Sequence, residues 1–205
     1  MRPASDFDRI ASNIAVWHAY DSAVKAELSS ICLTTASNTY LIDPILLQHE
    51  AFEKMIGSNA IAGIVVTNSN HHRAAAQFAQ QLSVAIFAHA QTFPGGQPSG
   101  FTAIDDGDEI CDQLRVISIN GAAPGEIVLH YAGNGGTLIV GDALINFEPY
   151  GFAFLPAKYC SDQREMRRSL RKLLDYEAGR ILFSHGTPIL SCARQRLEAL
   201  LISSS

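Results

Sequence analysis

At 205 residues the chain has room for one well-buried core and is short for two, and 47% hydrophobic with 17% charged residues describes an ordinary core under a lean surface. The formal net charge of −5, from 15 Lys and Arg against 20 Asp and Glu, offers no general field to a phosphate backbone, so no nucleic-acid partner is expected. No run reaches the length of a membrane span and no apolar leader opens the chain, so no membrane partner and a cytoplasmic location are expected.

Residues 13–20, 30–34 and 38–42 carry β-branched and aromatic residues over strand-like lengths and read as successive antiparallel strands. Asp43-Pro44 closes the third, because a residue before proline is held extended. Over 46–55 the positions Leu47, Phe52, Met55 and Ile56 have helical spacing, and Gly57 supplies a stop. The run 61–66 predicts a buried strand, 71–82 a helix carried by Ala74, Ala75, Phe78, Ala79 and Leu82, and 83–88 another strand. With parallel strands this is a right-handed crossover unit. Segment 67–73 then leaves the C-terminal end of a buried strand, where α/β folds place their sites.

Residues 91–101 read as a Gly- and Pro-rich loop, and Asp105, Asp106, Asp108 and Glu109 as a solvated turn whose spacing fails the calcium-loop pattern. Strands follow at 113–119, 126–131 and 137–140, the last two joined by a hairpin turn at 133–136 and ending in Gly141-Asp142. The aromatic segment 146–159 reads as an irregular cover over the site. A helix over 162–176 buries Met166, Leu170, Leu173 and Leu174 and presents Arg164, Arg167, Arg168, Arg171 and Lys172 as a solvated face. A buried strand at 180–183 runs into Ser184-His185-Gly186, and a helix over 191–201 closes the chain. Cys32, Cys111, Cys160 and Cys192 have neither CxxC nor zinc-knuckle spacing and read as small buried hydrophobes of a reducing compartment. His130, in an alternating strand, is expected to face solvent.

Three strand ends carry the polar residues that could converge on one pocket: Thr67-Asn68-Ser69-Asn70-His71-His72-Arg73, Gly141-Asp142-Ala143-Leu144 and Ser184-His185-Gly186. On these residues, and over nearly its whole length, the chain resembles the metallo-β-lactamase superfamily. The family's first motif reads Thr-His-x-His-x-Asp-His where this chain has residues 67–73. Its Pro-Gly-His-Thr-Pro-Gly loop corresponds to Asn120-Gly121-Ala122-Ala123-Pro124-Gly125, its bridging Gly-Asp to Gly141-Asp142, and its last histidine to His185. A branch reading Thr-Asn-Arg-Asp-His-x-Arg agrees at Thr67, Asn68, His71 and Arg73 and differs at Ser69 and Asn70.

The resemblance implies a four-layer αββα sandwich of two mixed β-sheets flanked by helices, with residues 1–205 as a single domain. It also implies two metal positions. The first would need histidines at 68, 70 and 122, and the chain supplies Asn68, Asn70 and Ala122, so the dinuclear centre is expected to be absent. The second would use an acid at 72 and a histidine at 73 with Asp142 and His185, and the chain supplies His72 and Arg73.

Three readings follow. In the first, Arg73 pairs bidentately with Asp142 in place of the ion, no cofactor is bound, and the pocket of Asn68, Asn70, His71, His72, Arg73, Asp142 and His185 is non-catalytic or takes a small anionic ligand. In the second, His72, Asp142 and His185 hold one Zn, Fe or Mn ion with a position open to water, and the protein hydrolyses an ester, thioester or phosphoester. In the third, the pocket is vestigial and the apolar surface serves a homo-oligomer. Singly, each of these residues is as compatible with capping a helix or holding a turn.

Overall fold

A computed structural model describes residues 2–202. The short apolar runs form β1 (Asp8–Ala11), β2 (Ile14–Asp21), β3 (Ala26–Thr34), β4 (Thr39–Ile42), β5 (Ile61–Val66), β6 (Ala85–Ala88) and β7 (Phe101–Ala103), which lie in chain order in one sheet. Pairing is antiparallel as far as β4 and parallel from β4 to β7. Two helices, α1 (His49–Ile56) and α2 (Ala75–Leu82), make the β4–β5 and β5–β6 crossovers that parallel pairing requires, and residues 89–100, with a 3₁₀ turn at Ala90–Thr92, connect β6 to β7. The remaining strands are β8 (Glu109–Cys111), β9 (Leu114–Ser118), β10 (Ile127–Tyr131), β11 (Thr137–Val140), β12 (Leu144–Phe147), β13 (Gly151–Phe154) and β14 (Arg180–Phe183). A second sheet has the order β14-β11-β10-β9-β8, with β14 parallel to β11, and β12 and β13 form a separate hairpin.

The period of two along each strand divides its side chains between layers. Ile14, Val16, Ile31, Leu33, Ile42 and Val65 meet Leu114, Val116, Ile127, Leu129, Ile139 and Leu182 between the sheets. The opposite face of the first sheet, with Trp17, Leu41, Ile64 and Ile86, packs under α1 and α2 through Phe52, Met55, Phe78 and Ala79. The outer face of the second sheet, with Val128, Leu138, Val140 and Phe183, packs under α3 (Gln163–Leu170) and α4 (Ala193–Ile202) through Met166, Leu170, Leu197 and Leu201. Three cores between four layers make an αββα sandwich.

Several elements differ from the sequence reading. β1, β7 and β8 are additional, and segment 146–159 holds most of the β12–β13 hairpin. The helix expected from residue 71 begins only at Ala75, because Arg73 adopts a left-handed backbone (φ 38°) that ends any helical run through it. Asp43 is left-handed as well (φ 48°), not extended, and its hydrogen bonds, described below, hold it there. The helix expected over 162–176 tightens into a 3₁₀ turn at Arg171–Asp175. His130 is buried, its Nε2 donating to the Glu177 carbonyl at 2.9 Å. Of the cysteines, Cys32 is buried and Cys192 exposed. In the described residues no helix is long and apolar enough to cross a membrane.

Candidate metal centre

Two parallel strand pairs, one from each sheet, end at the same edge of the sandwich. β4 and β5 end in register, which sets Asp43 beside Thr67: the Thr67 N–H donates to Asp43 Oδ1 at 2.8 Å and its hydroxyl to Oδ2 at 2.6 Å. β11 and β14 also end in register, which sets Gly141-Asp142 beside Ser184-His185. Backbone bonds from Ser29 to Ser184 (2.9 Å) and from Ile127 to Thr67 (2.8 Å) tie the two edges together.

Here the structure brings together His71, Asp142 and His185. His71 Nε2 lies 3.1 Å from Asp142 Oδ1, His185 Nε2 3.3 Å from the same oxygen, and the two nitrogens are 3.3 Å apart. A tetrahedral ion with bonds of ~2.0–2.1 Å spaces its donors about 3.3–3.4 Å apart, and an octahedral one about 2.9–3.0 Å. The triangle therefore matches one face of either polyhedron. Each ring also donates from its other nitrogen, His71 Nδ1 to Asp43 Oδ2 at 2.9 Å and His185 Nδ1 to the Glu27 carbonyl at 3.2 Å. These are the outer contacts that, with an ion bound, would keep the proton on Nδ1 and turn Nε2 towards the metal. His71 and Asp142 are buried, whereas the His185 side chain is 17% exposed, so solvent reaches the triangle on that side. The donor set fits one divalent ion.

The other metal position does not fit one. Asn68 Nδ2 donates to Glu126 Oε2 at 2.7 Å and Asn68 Oδ1 accepts the Asn70 N–H at 2.8 Å. Asn70 Nδ2 donates to Asp142 Oδ2 at 2.9 Å, and Ala122 is buried in the core under α3. The polar atoms expected to face an ion are spent on one another.

His72 does not join the cluster. Its ring stacks on Phe93 (4.4 Å between centroids, 12° between planes), and Nε2 donates to the Thr92 carbonyl at 2.6 Å. The carboxylate–histidine pair falls on His71 instead, while the His72 ring is held at Phe93 and Thr92. Nor does Arg73 form an ion pair with Asp142. Its Nη1 donates to the carbonyls of Ser29 (2.6 Å), inside β3, and Asp43 (3.0 Å), just past β4, and its Nη2 to that of Ser184 (3.4 Å), just past β14.

Charge is balanced without direct pairing to Arg73. Burial opposes the charged His71 ring, but Asp142 and Asp43 outweigh it and hold the ring's pKa up to about 9, with Arg73 opposing. Burial likewise opposes the Asp43 carboxylate, and His71, Arg73 and Ser184 bring it down to about 2. Burial, reinforced by Asp142, raises Glu126, while the Ala143 N–H, His71 and the Asn68 amide favour its ionised form, which is the form whose two oxygens accept three N–H bonds. Asp43 and Glu126 were not among the residues singled out from sequence. The signal for Glu126 was a carboxylate heading the apolar run Ile127-Val128-Leu129, since acidic side chains are almost never fully buried unless paired.

A two-sheet sandwich with a His-Asp-His cluster at its strand ends defines a metallohydrolase-type fold with an incomplete centre. The chain belongs to the metallo-β-lactamase superfamily: the model of that family matches residues 9–204. Solved structures of similar fold include the DIM-1 metallo-β-lactamase (15% identity, 97% of each chain covered, TM-score 0.75). A metallo-β-lactamase from Erythrobacter litoralis is also similar (17% identity, 96% of each chain, TM-score 0.72). So is a metallo-β-lactamase family protein from Thermus thermophilus (20% identity, 96% of this chain and 80% of that one, TM-score 0.69). No protein of curated function matches the chain. In place of the superfamily's dinuclear motif this member has the partial cluster His71, Asp142 and His185.

Proposed function

We propose that the protein is a mononuclear metal-dependent hydrolase of an ester, thioester or phosphoester, with His71, Asp142 and His185 as the ligands. The observation that carries this is the 3.1–3.3 Å triangle of ligand atoms, with both histidines oriented from behind. A divalent ion there supplies Lewis-acid polarisation of an acyl or phosphoryl oxygen and eases deprotonation of the attacking water. Asp43 fixes the His71 tautomer and Glu27 that of His185. Asn70 donates to Asp142 Oδ2, the carboxylate oxygen outside the triangle, which leaves Oδ1 to face the two rings. Substrate enters past His185, the exposed corner, and a phosphoester would be the small anionic ligand.

The reading extends to residues 1–205 as one domain in a reducing cytoplasm, supported by four unpaired cysteines. The net charge of −5 argues against nucleic acid, and exposed Tyr150, Tyr159 and Leu190 supply apolar surface for self-association. Purification without chelator, metal analysis and a substrate panel test the proposal. About one equivalent of Zn, Mn or Fe is expected, with turnover lost in His185→Ala and Asp142→Ala that still fold. Under about a tenth of an equivalent after reconstitution would return the pocket to a metal-free ion-pair cluster, with His71 held between Asp43 and Asp142.

A further inference from the structure

In the family pattern, the bridging aspartate is steadied by an ion that the residues at 68 and 122 help to hold. This chain has neither of those ligands, yet Asp142 is still placed against two imidazoles. We infer that the buried Asn68–Glu126 pair replaces the missing ion as the group that positions Asp142; this rests on the reading of His71, Asp142 and His185 as a metal centre.

Glu126 is 2% exposed, and Oε1 accepts the N–H of Asp142 at 2.8 Å and that of Ala143 at 2.9 Å. The carboxylate thus grips the backbone on which the ligand is mounted. Asn68 holds the other oxygen at 2.7 Å while its own carbonyl accepts the Asn70 N–H, and Asn70 in turn holds Asp142 Oδ2 at 2.9 Å. Asp142 is therefore held from its backbone and from the carboxylate oxygen outside the triangle, both through residues 68–70 and 126. Gly141 makes the approach possible. A Cβ there would lie 2.7 Å from Thr67 Oγ1, 2.8 Å from Glu126 Oε1 and 2.9 Å from Asn68 Nδ2, so any side chain would push the carboxylate off the backbone. Glu126 touches none of the three ligand atoms in the triangle, which makes it a positioning residue.

The hydrogen-bond pattern permits a reversal test. In Glu126→Gln the amide oxygen must face the two N–H groups, so its NH₂ meets the Asn68 NH₂, and turning Asn68 over only moves the conflict to the Asn70 N–H. Adding Asn68→Asp restores every bond, with donor and acceptor exchanged and the total charge unchanged. Two readouts apply: zinc or cobalt affinity by competition with a chromophoric chelator, and the His71 and His185 ring ¹H–¹⁵N signals of chelator-treated protein. E126Q is expected to weaken the ion by about 10–100-fold and to shift both rings, and N68D/E126Q to recover both. Asn68→Ala, which frees Oε2 but leaves the carboxylate, is expected to show a smaller loss and serves if E126Q does not fold. A variant that melts earlier while affinity and ring signals stay at wild-type values would reduce the pair to a structural role and overturn the inference. If wild-type protein takes up no ion, the metal reading fails by itself, and unmoved ring signals in E126Q then overturn the positioning role.

Discussion

Asp43→Asn is nearly isosteric and removes one charge from the back of the site. In the native protein Oδ2 accepts three donors, the hydroxyls of Thr67 and Ser184 at 2.6 Å each and His71 Nδ1 at 2.9 Å, while Oδ1 accepts the Thr67 N–H. With the amide oxygen kept on the Thr67 N–H, the new NH₂ faces all three former donors. The two hydroxyls can rotate, but His71 can accept only by moving its proton to Nε2, which is the ligand atom. Removing one partner of a buried charge pair costs about 3–5 kcal/mol, and a lost carboxylate–histidine contact costs about 10–100-fold in metal affinity. At about 2–4 °C per kcal/mol for a chain of this size, the ion-free protein is expected to melt about 6–20 °C earlier. Calorimetry in chelator and zinc competition measure the two effects separately. Wild-type zinc affinity in a folded Asp43→Asn protein would refute the claim that Asp43 sets the His71 tautomer.

The neighbouring histidines separate cleanly. His71→Gln is expected to abolish stoichiometric ion binding, whereas His72→Ala, which loses a stack on Phe93 and a bond to Thr92, costs about 1–2 kcal/mol and leaves affinity within about threefold; equal losses of affinity would contradict the assignment. Arg73→Met removes guanidinium bonds to the carbonyls of Ser29, Asp43 and Ser184, of which Asp43 keeps the Ser30 hydroxyl and Ser184 the Ser29 N–H, and a loss of about 1–3 kcal/mol in urea unfolding is expected; an unchanged midpoint would show that water replaces the guanidinium at no cost. In chelator, stability also follows pH. His71, raised to about 9, contributes fully below 6.5 and loses that contribution as pH rises through 9. Asp43, lowered to about 2, contributes above 3.8 and loses it as pH falls through 2. Through these two groups the ion-free protein is most stable between about pH 4 and 6.5, Glu126, raised by burial, adds a loss that sets in above 4.5, and a melting temperature still rising from pH 7 to 9 would argue against a charged His71.

The layered fold was legible because its signal is local. Runs such as Ile61–Val66 and Thr137–Val140 are short, apolar and bounded by turn formers, and the matching motifs at residues 67–73, 141–142 and 185 mark three strand ends. The loss of one metal position was legible too, since Asn68, Asn70 and Ala122 cannot supply three imidazoles. Motif spacing was a poorer guide to which histidine faces the centre. It pointed to His72, because position 72 holds the family's acid, but that ring stacks on Phe93 and it is His71 that lies in the cluster.

The sequence by itself determined the two-sheet sandwich, the family and the retention of Asp142 and His185, all of which rest on residue types in contiguous runs. Tertiary structure alone decided that His71 completes the triangle, that Arg73 ties together the carbonyls of Ser29, Asp43 and Ser184, and that Asp43 and Glu126 stand behind the ligands. The reason is distance along the chain. His71 meets Asp43 across 28 residues and His185 across 114, so these partnerships exist only once two parallel strand pairs from different sheets end at a common edge.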